Sequence, residues 1–355
     1  MNEFIKITWD DGSTKYIFSK PVKISNIRAF IDYNHLLLIK WYLQLKLYEF
    51  LGIKLDTRIT EANLSDIDKF NSLKTNYFKI DAYYESFPSL NHNQIWKFKN
   101  KKNQDRYVKK FSSSILFDKE IKTHKKLKTL NLMFFNLSKI RKYQEKSILI
   151  SKLSSKNKPI KKELIIRGLN ELKIKTLRIE KFKNIELFNN TLLASYEELI
   201  LFDKKFNFNL NNYLNCIRNK FKNIEIDTSL SLGDFTPWNS SFSISNKINI
   251  FDFEFSSQIK PVNYDLIHYL LQPKILFIKK INNNKLITLF DNLNKLFKVN
   301  NLDFYKDMEL YLYFFIKERV KNYINQSYLQ ADVYKQITIW SNILEILSKN
   351  KYNEV

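Results

Sequence analysis

The stretch SLGDFTPWN, residues 231–239, carries a carboxylate at Asp234 and a carboxamide at Asn239, and a second carboxylate, Asp252, follows in INIFDFEFS. A loop holding the first pair, with a hairpin returning the third group, can gather three hard oxygen ligands around one small space. Such donors suit Mg2+, which keeps water and phosphate oxygens in its shell, and the expected chemistry is phosphoryl transfer. The chain has only four glycines in 355 residues, and one of them, Gly233, stands beside Asp234. Together with Pro237 it shapes a loop that must aim two side chains at one point. The plainer reading is that Asp and Asn are turn formers around a hairpin.

The elements that must position these groups are legible as periodicities. SLSLGD, SSFSIS and INIFDFEFS alternate like strands over residues 229–256. Upstream, FIKITWDDGSTKYIFS around the turn signal DDGS suggests a hairpin, and HLLLIKWYLQLKLYEFL, residues 35–51, suggests an amphipathic helix followed by a polar segment to about residue 75. NQIWKFKNKKNQDRYVKKFS, residues 93–112, reads as two strands joined by a polar turn. In ILFDKEIKTHKKLKTL, residues 115–130, helical spacing puts Glu120 on one face with Phe117, Ile121, His124 and Leu127. A short apolar strand, SILISKL at 147–153, runs into SSKNKP, the expected boundary between two lobes. Beyond it helices are expected over 190–204, 208–222, 264–272, 283–297 and 303–325.

LGDFTPWN followed by IFDFE resembles the catalytic loop and metal-binding strand of the aminoglycoside phosphotransferase and choline kinase group, in which HGDxxxxN precedes a DxE strand on a protein kinase-like fold. The resemblance implies that Asp234 accepts or orients the proton of an attacking hydroxyl, and that Asn239 and Asp252 hold Mg2+ against the phosphates of ATP. It also implies a strand lysine that contacts the phosphates and pairs with a helix glutamate. YVKKFSSS ahead of FDKEIKTHKKL supplies both, with Glu120 as the glutamate. Neighbouring strand residues point to opposite faces, so only one of Lys109 and Lys110 can reach in. Lys110 is favoured because it shares a face with Val108 and because an apolar residue and then a small polar one follow it, as in the family; Lys109 stays open. Ser151 and Leu153 fall where these proteins hydrogen-bond the adenine through backbone groups. Asp265, in KPVNYDLIHYLL, would brace the catalytic loop, and Glu254 is either a second metal-side carboxylate or a strand residue bonded to the loop.

Three departures from the pattern stand out. Leu232 occupies the position usually held by histidine, ESFPSLNHNQ lacks the glycines of a phosphate-covering turn, and residues 1–75 lie outside the shared region. Similar amino-terminal segments occur in phosphotransferase-like proteins linked to bacterial surface polysaccharide synthesis. His124 and His268 read as packed imidazoles, and His35 and His92 have no partners at metal-binding spacing.

Composition bounds the alternatives. With 44% hydrophobic and 15% aromatic residues the chain is a folded protein, and its length allows two lobes of roughly 100 to 200 residues. The lone Cys216 excludes an internal disulfide framework and points to a reducing cytoplasm. No uncharged apolar run reaches the roughly 18 residues of a membrane span. The net charge of +23 is spread along the chain with abundant Asn, Ile, Phe and Tyr, as AT-rich codon usage would produce, so no nucleic-acid partner is expected and membrane contact is at most weak and superficial.

The expected architecture is α+β: a bilobal protein kinase-like fold with a small, mostly β amino-terminal lobe and a larger, mostly α carboxy-terminal lobe. Its parts are an extension over 1–75, a nucleotide-binding lobe over 76–153 and a helical catalytic and acceptor-binding lobe over 154–355. The expected activity is transfer of the ATP γ-phosphate, with Mg2+, to a hydroxyl of a sugar, glycan precursor or amino alcohol. A kinase-like scaffold without turnover and a basic nucleic-acid or membrane-surface binder are the alternatives.

Overall fold

The computed structural model describes residues 4–8, 14–28, 35–71, 80–85, 93–99, 104–151, 153–156, 158–277, 283–300, 302–329 and 331–350. The turn DDGS, His92 and most of ESFPSLNHNQ lie outside these residues, as does the side chain of His35. In chain order the first elements are β1 (Phe4–Thr8), β2 (Thr14–Ser19), α1 (Ile24–Arg28), α2 (His35–Leu51), β3 (Ile59–Glu61), α3 (Leu64–Asn71), β4 (Ile80–Glu85), β5 (Gln94–Lys99) and β6 (Asp105–Lys110). Then come α4 (Ser114–Thr129), β7 (Phe135–Leu137), β8 (Ile140–Lys142), β9 (Ser147–Ser151), α5 (Lys162–Thr176), β10 (Arg178–Lys181), α6 (Phe182–Phe188), α7 (Tyr196–Phe206) and α8 (Leu210–Phe221). The remainder are β11 (Glu225–Ser231), β12 (Ser240–Phe242), β13 (Ile248–Ile250), β14 (Ser257–Pro261), α9 (Tyr264–Phe277), α10 (Asn283–Val299), α11 (Phe304–Tyr323) and α12 (Ala331–Asn350).

These elements form two compact units. The first comprises residues 1–128, 135–159 and 237–254; the second comprises 129–134, 160–236 and 255–355. Unit 1 is built on an eight-stranded antiparallel sheet in the order β3-β1-β2-β4-β5-β6-β9-β8. The amino-terminal extension thus contributes three strands, β1, β2 and β3, to the sheet that holds β6. The sheet is apolar on both faces: Ile5, Ile7, Tyr16 and Phe18 pack with Leu38 and Leu45 of α2, while Tyr83, Trp96, Phe98 and Val108 form a second cluster. A third cluster joins Phe111, Phe117, Ile121 and Ile148, which seats α4 beside the carboxyl end of β6. Each fully buried side chain of this size contributes about 1.5–3 kcal/mol. A three-stranded sheet, β12-β13-β7, completes the unit, with the β12–β13 hairpin in the register Ser240↔Ile250 to Phe242↔Ile248.

Unit 2 is mostly helical around the antiparallel sheet β10-β11-β14. At α7 and at the start of α8, side chains satisfy terminal backbone groups. Ser195 and Glu198 form a reciprocal capping box on α7, Asn207 ends that helix in the left-handed conformation, and Asp203 accepts the N–H groups of Leu210 and Asn211 at the start of α8. α11 runs through the middle of the unit, with Met308 and every residue from Leu310 to Ile316 buried. Glu171 of α5 accepts hydrogen bonds from the N–H groups of Met133 (2.7 Å) and Phe134 (3.1 Å), which fastens the 129–134 segment to this unit. Among the described residues no helix is long and apolar enough to cross a membrane.

Candidate functional site

In unit 1 the chemistry gathers around Lys109. Strand β6 is covered on both faces, so its alternation places Val108 in one apolar cluster and aims Lys109 at the opposite side, toward α4 and the segment after β13. The Lys109 Nζ lies 2.6 Å from Asp252 Oδ1, 2.7 Å from Glu254 Oε2 and 3.8 Å from Glu120 Oε2. Glu120 also accepts the N–H of Phe253 at 2.7 Å, and Asn93 donates through its amide to Glu254. Asp252 adopts a left-handed backbone, φ 72°, which is uncommon for a residue with a Cβ and costs on the order of 1 kcal/mol. The bonds around it hold that conformation.

The balance of charge in this cluster is unequal. One buried ammonium faces three carboxylates. Burial pushes Glu254 up to about 8 and Glu120 up to about 7, with Lys109 opposing and Asp252 reinforcing the shift in each case. Burial works against the charged form of Lys109 as well, but attraction from Asp252, Glu254 and Glu120 outweighs it and holds the ammonium protonated. Asp252 is the least covered acid, its side chain 29% exposed against 3% for Glu120 and 7% for Glu254. Carboxyls held back from ionising by burial would gain from a divalent cation, and their hard oxygens suit one. Among the described residues no three His, Cys, Asp or Glu side chains form a complete metal cage. Mg2+ does not need one, since it commonly takes one or two carboxylates and fills its shell with water and phosphate. Asn239 stands half-buried just before β12, and the register of the hairpin continues toward Asn239 and Phe251, so Asn239 and Asp252 leave the same end of it.

In unit 2 the chemistry gathers around Asp234. β11 delivers Leu232, Gly233 and Asp234, and Asp265, in the first turn of α9, receives the loop. Its carboxylate accepts from the N–H of Leu232 (2.7 Å), the N–H of Gly233 (3.2 Å) and the hydroxyl of Ser231 (2.8 Å). Burial raises the Asp265 pKa, and these donors, Leu232 first, oppose the rise. Gly233 has φ 88°, and a Cβ there would lie 2.2 Å from the carbonyl carbon and oxygen of Phe255, so both the conformation and the space demand glycine. The Asp234 Oδ1 lies 2.9 Å from Nε2 of His268, whose Nδ1 lies 3.0 Å from the Tyr311 hydroxyl. Burial depresses the basicity of Arg319, about two turns beyond Tyr311 on α11, but neighbouring groups led by Tyr323 and Asp234 raise it overall.

No protein-family model matches the sequence, and no curated protein matches it. Solved structures do match. An ethanolamine kinase of Plasmodium vivax superposes with a TM-score of 0.51 at 12% identity, over 92% of this chain and 98% of that one. A choline kinase of Streptococcus pneumoniae gives 0.44 at 12% identity, over 80% and 98%. A choline kinase of Cryptosporidium parvum gives 0.43 at 12% identity, over 81% and 95%. This chain has a protein kinase-like fold.

Within the kinase-like fold the residues expected from sequence separate into those brought together and those left apart. Lys109, Glu120, Asp252 and Glu254 meet in one cluster. Lys110 does not join them: it is exposed at the end of β6. Lys110 was favoured for sharing a face with Val108 and for the Phe111–Ser112 pair that follows it; the first reason does not discriminate, because apolar packing covers both faces of this strand. Ser151 sits on β9 opposite Arg106, and its N–H donates to the Lys139 carbonyl at 3.0 Å, while Leu153 lies half-buried beyond the strand end. Leu232 is buried, 2% exposed, and Asp265 holds the loop around it. His124 is a packed imidazole bonded to the Ser138 carbonyl at 2.6 Å, with burial lowering its pKa. His268 is packed too, but against Asp234. Sequence reasoning missed that contact, together with Asn93 and Tyr311. The Asp265/His268 pair, one helical turn apart on α9, was the available signal for the first of these.

Proposed function

We propose that this chain is a phosphotransferase that moves the γ-phosphoryl group of ATP, with Mg2+, onto a hydroxyl of a small molecule. The observation that carries the reading is the buried cluster in which one strand lysine is held among Glu120, Asp252 and Glu254. A lysine so fixed is a preorganised positive charge for phosphate oxygens, and positioning with charge neutralisation supplies most of the catalysis in phosphoryl transfer. The reading makes one assignment in each unit. In unit 1, Lys109, oriented by Glu120, holds the ATP phosphates, Asn239 and Asp252 hold the metal, and the backbone near Ser151 and Leu153 holds the adenine. In unit 2, Asp234 serves the acceptor. Mg2+, when bound, supplies neutralisation of phosphate charge.

The acceptor oxygen forms its bond to the γ-phosphorus as the bond from that phosphorus to the bridging oxygen breaks. ADP leaves with the bonding electrons, and the hydroxyl proton passes to the Asp234 carboxylate and from there to water. A sugar, a glycan precursor or an amino alcohol is the acceptor class, the last being the class named for the Plasmodium vivax protein. A cytoplasmic setting, suggested by the single Cys216, would supply the ATP. The test is release of ADP from Mg-ATP across a library of hydroxyl acceptors. Asp234→Asn should abolish acceptor-dependent release, and equal release from the variant and the wild type would refute the reading. A wild type inactive across the library would favour the scaffold.

A further inference from the structure

We infer that His268 is the positioning residue for Asp234 and that Tyr311 fixes the imidazole in the tautomer this task requires; the inference rests on the role proposed for Asp234. At neutral pH a carboxylate is an acceptor only, so the 2.9 Å contact with Asp234 Oδ1 requires the proton on Nε2 of His268. In the neutral ring Nδ1 is then an acceptor, and the group 3.0 Å from it is the Tyr311 hydroxyl. Burial keeps that phenol protonated, so it can donate. The bonds therefore run in one direction, from Tyr311 to His268 to Asp234.

The surroundings hold the chain of bonds rigid. His268 is fully buried, its ring parallel to Tyr264 within 10° and 5.1 Å from the Phe315 ring, while Tyr311 and Phe315 stack on each other. α9 and α11 supply all these groups, so the imidazole is set by two packed helices rather than by a loop. A carboxylate is planar, and anchoring Oδ1 fixes the direction in which Oδ2 points. That direction decides whether Asp234 can receive a hydroxyl proton. The histidine missing at position 232 thus has a functional counterpart that enters from α9.

The test compares His268→Leu, His268→Gln and Tyr311→Phe with the wild type and Asp234→Asn, using Mg-ATP with water as the acceptor. In that reaction the water oxygen bonds to the γ-phosphorus, the bond to the bridging oxygen breaks, and ADP, phosphate and a proton are released. His268→Leu should lower kcat about 10- to 100-fold, the loss of one hydrogen bond to a charged group, with KM for ATP unchanged. His268→Gln, whose amide nitrogen can donate at the same reach, should restore most of it. Tyr311→Phe should cost about 2- to 10-fold. Nitrogen-15 NMR of the wild-type imidazole, which needs no variant to fold, should show Nε2 protonated and Nδ1 unprotonated.

Unchanged kcat in His268→Leu beside an inactive Asp234→Asn would overturn the inference and leave the functional reading intact. So would failure of glutamine to rescue, or a proton on Nδ1. Equal ADP release by wild type and Asp234→Asn would overturn the functional reading, and this inference with it.

Discussion

Replacing Lys109 with methionine should separate the two adjacent lysines by stability alone. The substitution keeps the length and apolar stem of the side chain and removes the ammonium that faces Glu120, Asp252 and Glu254. Breaking a buried ion pair from one side costs about 3–5 kcal/mol, because the partner charge stays buried and uncompensated. The cost should depend on pH in a definite direction. Glu254 and Glu120 have native pKa values of about 8 and about 7, above the ordinary 4.5. A carboxyl raised in this way holds its proton in the native state after the unfolded chain has lost it. Its contribution is complete below the unfolded value and is lost as pH rises through 7 and then 8. Removing Lys109 deletes the main attraction opposing those shifts, so both groups should move further up. The penalty should be smaller near about pH 6, where both carboxyls keep their protons with or without the lysine, and grow toward about 3–5 kcal/mol near about pH 9, where only the wild type ionises them. Urea unfolding of metal-free protein at the two pH values measures it, with Lys110→Met as the control. Lys110 is exposed, and its loss should stay within about 0.5 kcal/mol at both. Equal losses for the two lysines, or a Lys109→Met penalty that does not grow with pH, would refute the reasoning.

Substitutions at three positions in unit 2 should act through stability by separate causes, each read by the unfolding midpoint. Gly233→Ala combines left-handed strain with a Cβ 2.2 Å from the Phe255 backbone and should cost at least about 2 kcal/mol; a neutral result would mean the loop relaxes freely. Asp265→Ala removes the acceptor of the Leu232 and Gly233 N–H groups and of the Ser231 hydroxyl, at about 1–3 kcal/mol for each donor left buried, whereas Asp265→Asn, which keeps one oxygen, should cost less. Glu171 has a depressed pKa: burial opposes, but the N–H donors of Met133 and Phe134 and the Lys175 ammonium prevail. Its contribution is therefore present above the ordinary glutamate range and lost as pH falls, and Glu171→Gln should flatten that acid-side loss.

How much of this was legible in sequence depends on the range of the interaction involved. The hairpins and the long helices follow from local period: β5 and β6 stand inside 93–112, α4 spans 114–129 against an expected 115–130, and α11 spans 304–323 against 303–325. α5 and α3 were not read, since lysines and polar residues dilute their apolar stripes. Which of Lys109 and Lys110 meets Glu120 was open in sequence, because alternation tells which residues share a face but not which face turns toward α4. In a strand buried on one side only, the apolar neighbour would have decided it. Here Val108 packs in one cluster while Phe111 packs in another, so both faces look like core. Asn93, and the choice between the two roles open to Glu254, lie beyond such signals, because their partners come from remote segments and no motif spacing connects 93 with 254.

Leu232 shows why a departure from a motif need not remove what the motif residue does. At this position the side chain points into the core, and the backbone N–H, which every residue except proline possesses, makes the bond to Asp265 that holds the loop. The loop therefore depends on an acceptor placed by α9 and not on a polar side chain at 232. The same helix carries His268 one turn later, and its spacing brings Nε2 of that ring to Asp234. A histidine installed at 232 would have to bury a polar ring where leucine now fills the space, and would duplicate bonds already made. The backbone at 232 and the carboxylate of Asp234 thus both bond to side chains of one helix, α9. A helix held by α11 on its other side is the more rigid support for a side chain that must point in one direction.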